Sequence, residues 1–517
     1  MASKREIFRS SILVSFISLL GGLAGVLVET SIASRLGLSK SSDIFYVAYT
    51  VPYVISNLLS ATSQFSLVPF FGTLDARHAP EDLWQGFSYA VNTIFLGMGT
   101  FALLAIAAAP WVIRGIAPGF TAQQSELATQ LARWLFLILI PAGVSEVFRS
   151  FLLSQRRFGL SSAAGFFCNA VVIASVVGLF GRLGYYSIVL GYLLGYLVSF
   201  LVLGAQIVVA FPVRYSLTLQ GSGEAFRKLH GAGAAQLGGA AVWQVVVVAE
   251  RIIASFLPAG TLTALGYGLK ILSALVDLLA GSVGTVALPA LSRAVARQDA
   301  TEVRKLFRDV LEISMMLVVP AFIFCGLLSG NIIRLVFERG NFRPEATALL
   351  AKVFFYYGVA LLPYAFARLL TFYLFARHEG GAYLRFAAFL YGLTLMFDLI
   401  YVAGFRWGAK GIPLGLLTAS ILASALAYQR NVAGLRIDFD RALGWFTLKN
   451  LLAGSLAALA VLGLRWAVQN PQTNAANFVY LCGLCGAGTL VFFAILAASR
   501  AVPVAKILAE MTRSEDS

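Results

Sequence analysis

Apolar stretches long enough to cross a bilayer follow one another along the whole chain, separated by short polar connections. About 20 helical residues, rising 1.5 Å each, are needed to cross a hydrocarbon core of ~30 Å. Lipid offers no partner to a backbone N–H or C=O, so each stretch must bond itself internally as a helix. The pattern predicts fourteen spans, near residues 10–33, 44–71, 86–112, 126–153, 159–180, 185–211, 230–256, 262–290, 309–336, 346–376, 383–404, 411–429, 446–467 and 477–499. Between them there is no room for a soluble domain.

Composition agrees. Hydrophobic residues make up 59% of the 517 positions and charged residues 12%, with a mean hydropathy of +0.82. Soluble domains carry about 25% charge. The fold class is therefore an all-α polytopic membrane protein with about fourteen transmembrane helices. A net charge of +15 would suit nucleic acid if it were gathered into one patch. Here it is spread between the spans, which excludes that partner and makes it a topology signal. One alternate set of loops and termini, including Lys4, Arg5, Arg156, Arg157, Arg227, Lys228, Arg304 and Lys305, holds more than twice the Lys and Arg of the other, which includes Arg35, Lys40, Arg114 and Arg182. Both termini are then expected in the cytoplasm, which requires an even number of spans. Lys4, Arg5 and Arg9 precede the first span without a cleavage-type site, so that span reads as retained.

Comparing the sequence with itself reveals a repeat. Glu29-Thr-Ser-Ile-Ala-Ser34 recurs 221 residues on as Glu250-Arg-Ile-Ile-Ala-Ser255, and the same offset pairs Tyr46 with Tyr267 and Leu58 with Leu279. One residue of slippage brings Pro69 onto Pro289, and Pro141 matches Pro363 at an offset of 222. Six spans separate the copies, so both halves cross the membrane in the same sense. The division is residues 1–220 and 221–440 as two six-helix lobes, with 441–517 carrying two extra C-terminal helices and a tail. Paired lobes of this kind point to a transporter that alternates access around a central cavity.

Ionisable residues within spans are costly and tend to face a cavity or a partner. Glu29, Glu250 and Arg251 lie near the outer ends of the first and seventh spans. Lys270 sits about 12 Å below the outer end of the eighth, and Asp277 follows two turns below it on the same face. These five are the candidates for an outward-opening chamber whose cationic part would suit a phosphate or diphosphate, and Arg368 would line its inner mouth. The structural alternatives are a helix cap for Glu29, outward snorkelling for Arg251 and a Lys270–Asp277 pair. Glu146 and Arg149, one turn apart, read as a structural pair, and Pro141, Pro320 and Pro363 as bending points. Gly191 and Gly195 have the spacing of a helix-packing pair. Cys168, Cys325, Cys482 and Cys485 lie in apolar stretches and read as buried thiols rather than disulfides. His78, His230 and His378 lack metal-ligand spacing, and no nucleotide-binding loop is present, so neither a catalytic site, a metal nor a cofactor is expected.

Several segments resemble the MurJ/MviN family of lipid II flippases: Asp43-Ile-Phe-Tyr-Val-Ala-Tyr-Thr-Val-Pro52, Ala117-Pro-Gly-Phe120, Arg251-Ile-Ile-Ala-Ser-Phe-Leu-Pro-Ala-Gly260, Gly284-Thr-Val-Ala-Leu-Pro-Ala-Leu-Ser-Arg293 and Arg334-Leu-Val-Phe-Glu-Arg-Gly-Asn-Phe342. The resemblance spans most of the chain. It implies a monomeric carrier of the bacterial inner membrane, surrounded by membrane lipids, that moves an undecaprenyl-diphosphate-linked saccharide between leaflets. It also implies a cationic cavity in the first lobe and a groove for the lipid tail at the last two spans. Four positions where the family carries arginine read here as Gly22, Val28, Ser56 and Asn57, and a fifth as Lys270. Lysine is a point charge without a bidentate grip, so a carrier of another lipid-linked oligosaccharide, such as a capsule or exopolysaccharide precursor, stands as the alternative. A multidrug-type exporter follows it, because that type has no use for the two extra spans.

Overall fold

The computed structural model describes residues 21, 22, 24–75, 80–220, 234–377, 379–429, 441–468, 471 and 473–499. The first predicted span lies partly outside this set, as do Lys4, Arg5, Arg9, His78, His230 and His378. Every regular element among the described residues is helical.

In chain order the helices are α1 (residues 24–36), α2 (Lys40–Asp75), α3 (Pro80–Ile116), α4 (Ala122–Ser154), α5 (Phe158–Leu183), α6 (Tyr185–Ala210), α7 (Ala234–Ser255) and α8 (Thr261–Ala296). There follow α9 (Ala300–Leu327), α10 (Ser329–Phe337), α11 (Pro344–Ala376), α12 (Gly380–Gly404), α13 (Gly411–Gln429), α14 (Arg441–Ala467) and α15 (Asn474–Ala498). Among the described residues, 13 helices are long and apolar enough to cross a membrane, and they match predicted spans two to fourteen. One boundary is corrected. The apolar run 309–336 breaks at Leu328, whose backbone (φ −115°, ψ 14°) leaves the helical region and separates α9 from the nine-residue α10.

Two prolines account for local changes of helix type. Pro69 has no N–H to offer the carbonyl of Phe65, and the turn around it widens to a π-helix at Ser63–Leu67. Pro141 does the same to Leu137, within the tightened 3-10 turn Phe136–Ile138. Pro320 and Pro363 lie in segments that remain α-helical. Capping side chains start several helices: Ser39 and Thr121 each make a reciprocal capping box, at α2 and α4, and Asp299 accepts from two amides at the start of α9.

The chain forms two compact units, Met1–Thr263 with Arg339–Arg343, and Ala264–Glu338 with Pro344–Ser517. In the first, fully buried Phe151 of α4 meets the rings of Phe71, Trp84 and Phe87 with centroids 5.6, 5.4 and 4.9 Å away. Gly191 and Gly195 let α6 press on α5: a Cβ at Gly195 would stand 2.8 Å from the carbonyl oxygen of Cys168, and one at Gly191 would stand 3.1 Å from Cα of Val172. The predicted packing role of this glycine pair is met on α5. All four cysteines are free; Cys325 is buried, whereas Cys482 is exposed on α15. The expectation of burial fails for Cys482 because an apolar side chain at a lipid boundary needs no protein cover.

In the second unit α14 and α15 are fixed to α9 by an apolar contact of Val319, Ile323, Ala453, Ala457, Phe492 and Leu496. Buried Asn331 of α10 donates through Nδ2 to Oδ1 of Asn477 at 2.9 Å, and Asn477 donates back to the Asn331 carbonyl at 2.9 Å. Interhelical amide bonds of this kind are among the stronger links between apolar helices. Replacing one partner strands the other in a dry site at a cost of about 1–3 kcal/mol, whereas replacing both with apolar residues is close to neutral. Asn477→Leu is therefore expected to lower the thermal unfolding temperature of detergent-purified protein, and adding Asn331→Leu to recover most of that loss.

Candidate functional site: a reciprocal latch and its charged residues

Within the first unit the ends of α1 and α7 receive matching loops. The amide of Gly119, in the α3–α4 loop, donates to the Ser255 hydroxyl at 3.1 Å. In the 339–343 segment the Asn341 amide donates to the carbonyl of Ser34 at 2.7 Å, and its side-chain amide donates to the Arg35 carbonyl at 2.8 Å. Gly119 and Gly340 are 221 residues apart, and so are Ser34 and Ser255. The repeat thus brings the same glycine against the same serine twice, each copy's loop meeting the other copy's first helix, although the hydrogen bonds that accompany the approach differ. A Cβ at Gly119 would strike the Ser255 carbonyl, and one at Gly340 would strike the Ser34 carbonyl. Gly340 also needs its positive φ of 61°.

Asp43, in the first turn of α2, adds a clasp that has no second copy. Its carboxylate is 5% exposed. It accepts from the amides of Gly260 and Thr263 at 2.6 and 2.9 Å and from the Thr263 hydroxyl at 2.7 Å. Those amides open α8, so the carboxylate satisfies orphan donors at the positive end of a helix. Gly260 makes this possible with φ 82° and with the carbonyl carbon of Leu38 2.8 Å from where its Cβ would stand. Sequence reasoning placed Asp43 in a family-like segment without assigning it a role. The signal it offered was an acid at the start of a span that pairs by register with neutral Ala264.

The predicted site residues divide between the two units. In the first, Glu29 is 6% exposed and accepts from the hydroxyl of Tyr46 on α2, so it ties α1 to α2 rather than capping a helix. Arg251 donates to the Leu262 carbonyl at 3.0 Å, bracing the α7–α8 turn rather than snorkelling outward. Its neighbour Glu250 is half-buried on α7. Ser60 donates to Glu146 at 3.1 Å, and Glu146 pairs with Arg149 at 3.3 Å, as the one-turn spacing implied.

In the second unit Asp277 opens a π-helical turn of α8, Asp277–Gly281. Its carboxylate pairs with Arg368 of α11 at 3.2 Å, and the guanidinium also lies 5.3 Å from the Phe372 ring centroid. The structural alternative in the sequence pairs Asp277 with Lys270. Arg368 lies 91 residues away in sequence but reaches Asp277 from the facing helix, a pairing that helical periodicity within α8 cannot reveal. Lys270 is exposed on α8, two turns before Asp277. Among the described residues no three His, Cys, Asp or Glu side chains form a metal-holding group.

The sequence profile of the family described as lipid II flippase MurJ matches residues 32–481. The chain belongs to that family. A curated MurJ relative, the lipid II flippase of Burkholderia cenocepacia, is 24% identical over 481 residues, covering 90% of this chain and 91% of its own. Among solved structures, one described as lipid II flippase MurJ in an inward closed conformation superposes with TM-score 0.79 at 19% identity, covering 95% of this chain and all of the other. An inward-facing multidrug resistance transporter of the MATE family gives 0.68 at 15% identity over 83% of this chain and 99% of its own. These likenesses show the fold. MurJ membership makes this a transporter family rather than one of enzymes.

At the positions where the MurJ resemblance expects arginine, α1 carries buried Val28 and α2 carries Ser56 and Asn57. Asn57 spends its amide on the Tyr53 carbonyl one turn earlier, at 3.0 Å. What flanks these positions is aromatic: Tyr49 lies 4.7 Å from Tyr192 and 6.1 Å from Tyr53, centroid to centroid. These positions therefore offer phenol rings and amides, with the Glu146–Arg149 pair on α4 bonded to Ser60 of α2.

The latch geometry fixes an order of sensitivities. Gly119→Ala meets backbone and is expected to cost about 1–3 kcal/mol through overpacking. Gly340→Ala meets backbone as well and adds the left-handed penalty of about 1–2 kcal/mol. Thermal unfolding of the purified variants should rank native above Gly119→Ala above Gly340→Ala; unchanged midpoints would mean that the latch contributes nothing.

Proposed function

We infer that this chain translocates lipid II, an undecaprenyl-diphosphate-linked saccharide, between the leaflets of the bacterial inner membrane by alternating access, as a monomer with both termini in the cytoplasm. The observation that carries the reading is the family match over residues 32–481. The physical need is plain. Moving a bare charge into hydrocarbon costs of order 20 kcal/mol by Born solvation, so a diphosphate headgroup crosses only inside a polar, protein-lined path. Two lobes of like orientation suit that task, because each can rock against the other while the lipid tail stays in the membrane. A latch made of matching loops supports the reading, since a carrier must close one end before the other opens.

Lys270 is proposed as the headgroup's cationic contact: it lies within a span, and it stands where the family resemblance expects a cation. Arg368 and Asp277 are proposed as neutralising each other while the path is empty, with the arginine released to phosphate on loading. Glu29, Glu250 and Arg251 are proposed to hold the wall of the path near the latch.

Depleting the protein and following lipid II across the membrane tests the substrate. Arrest of lipid II in the inner leaflet is expected. Normal lipid II transfer, with a different undecaprenyl-linked saccharide accumulating, would overturn the assignment. For the site, Lys270→Ala is expected to lower translocation at least tenfold, the factor for losing one charge-assisted bond to phosphate. Lys270→Arg should retain transport, and full activity in the alanine variant would remove Lys270 from the path.

A further inference from the structure

A groove of about 780 Å³ lies at the end of α3 and the start of α4, and its wall includes Arg114, Glu126, Gln130 and Arg133. Both arginines are exposed, and neither forms an ion pair among the described residues. Elsewhere Arg149, Arg308, Arg334, Arg368 and Arg377 each pair with a carboxylate. Two guanidiniums and one carboxylate among the residues that line the groove leave a net positive charge and several spare donors.

Depth identifies what can reach it. Trp111 on α3 and Trp134 on α4, next to this groove in sequence, are 70% and 52% exposed. Exposed tryptophans on membrane helices gather at the headgroup layer, where an apolar ring and a polar N–H are both accommodated. Arginine there forms bidentate bonds with phosphate oxygens. We propose that the α3–α4 groove binds the phosphodiester headgroup of an anionic membrane lipid, held by Arg114 and Arg133. Glu126 and Gln130 accept from headgroup hydroxyls, which makes a phosphatidylglycerol-type lipid the fitting class. The same groove is lined by Ala117, Pro118 and Phe120. These flank Gly119, whose amide holds Ser255, so the lipid rests against one arm of the latch.

Thermal unfolding of the full chain in neutral detergent, titrated with phosphatidylglycerol, tests the assignment. The native protein should gain a saturable rise in unfolding temperature. Arg114→Gln with Arg133→Gln should begin at the native midpoint without lipid, since both side chains are exposed and neither forms an ion pair among the described residues. It should bind more than tenfold more weakly, about tenfold being the factor for one lost charge-assisted bond. Arg182→Gln, an exposed arginine at the α5–α6 turn, should behave as native. The proposal is overturned if the double variant responds like the native protein, if Arg182→Gln loses the response equally, or if inorganic phosphate at the same concentration reproduces it.

Discussion

In hydrocarbon every backbone amide and carbonyl must find its partner within the protein, and this fold is organised by that requirement. Helices meet it along their length; their ends, prolines and connections do not. Where Pro69 and Pro141 withdraw a donor, the chain widens or tightens a turn instead of breaking. Where α1 and α7 end, the exposed groups of Ser34, Arg35 and Ser255 are taken up by the Gly119 and Gly340–Asn341 loops. Where α8 begins, Asp43 supplies the acceptors. The latch is thus the same requirement met at helix ends, which is why its contacts run largely through backbone and why glycine occupies both close approaches.

The second constraint is charge. Most ionisable groups within spans have identified partners, and those partners are seldom near in sequence. Arg251 serves a carbonyl across a turn, Glu29 a phenol on the next helix, and Asp277 a guanidinium 91 residues away. Lys270 is the cation on which the transport reading leans. In the first unit Val28, Ser56 and Asn57 stand where the family resemblance expects guanidiniums, and Tyr49 and Tyr53 lie on the same helix as the latter two.

The spans were legible in the sequence because hydrophobic length is dictated by the bilayer alone and needs no knowledge of neighbours. The break at Leu328 was not, since an unbroken apolar run carries no signal of where one helix stops and the next begins; the Asn331–Asn477 bond that follows it joins residues 146 apart and is equally invisible to periodicity. For the candidate site, the repeat offset already contained the Gly119–Gly340 and Ser34–Ser255 correspondences, yet an offset cannot say that the loop of one copy lands on the helix of the other. Depth in a span located Asp277 and Arg368 individually; only the arrangement of α8 against α11 made them a pair. In the sequence Arg114 reads only as a loop charge, and the groove it shares with Arg133 emerges only once α3 and α4 stand side by side.

Asp43 gives the latch a direction. The glycine contacts occur twice and balance each other, but residue 264, the register partner of Asp43, is alanine, so three of the shortest bonds at this end converge on a single side chain at the start of α8. A duplicated protein inherits two equal halves, and one acid is enough to make them unequal. Motion that frees the α8 end must strip three hydrogen bonds from a buried carboxylate and rehouse it, whereas motion at α1 rearranges only neutral groups. The helix ends at α1 and α8 are therefore held by unequal chemistry, one by neutral groups alone and the other by a buried acid.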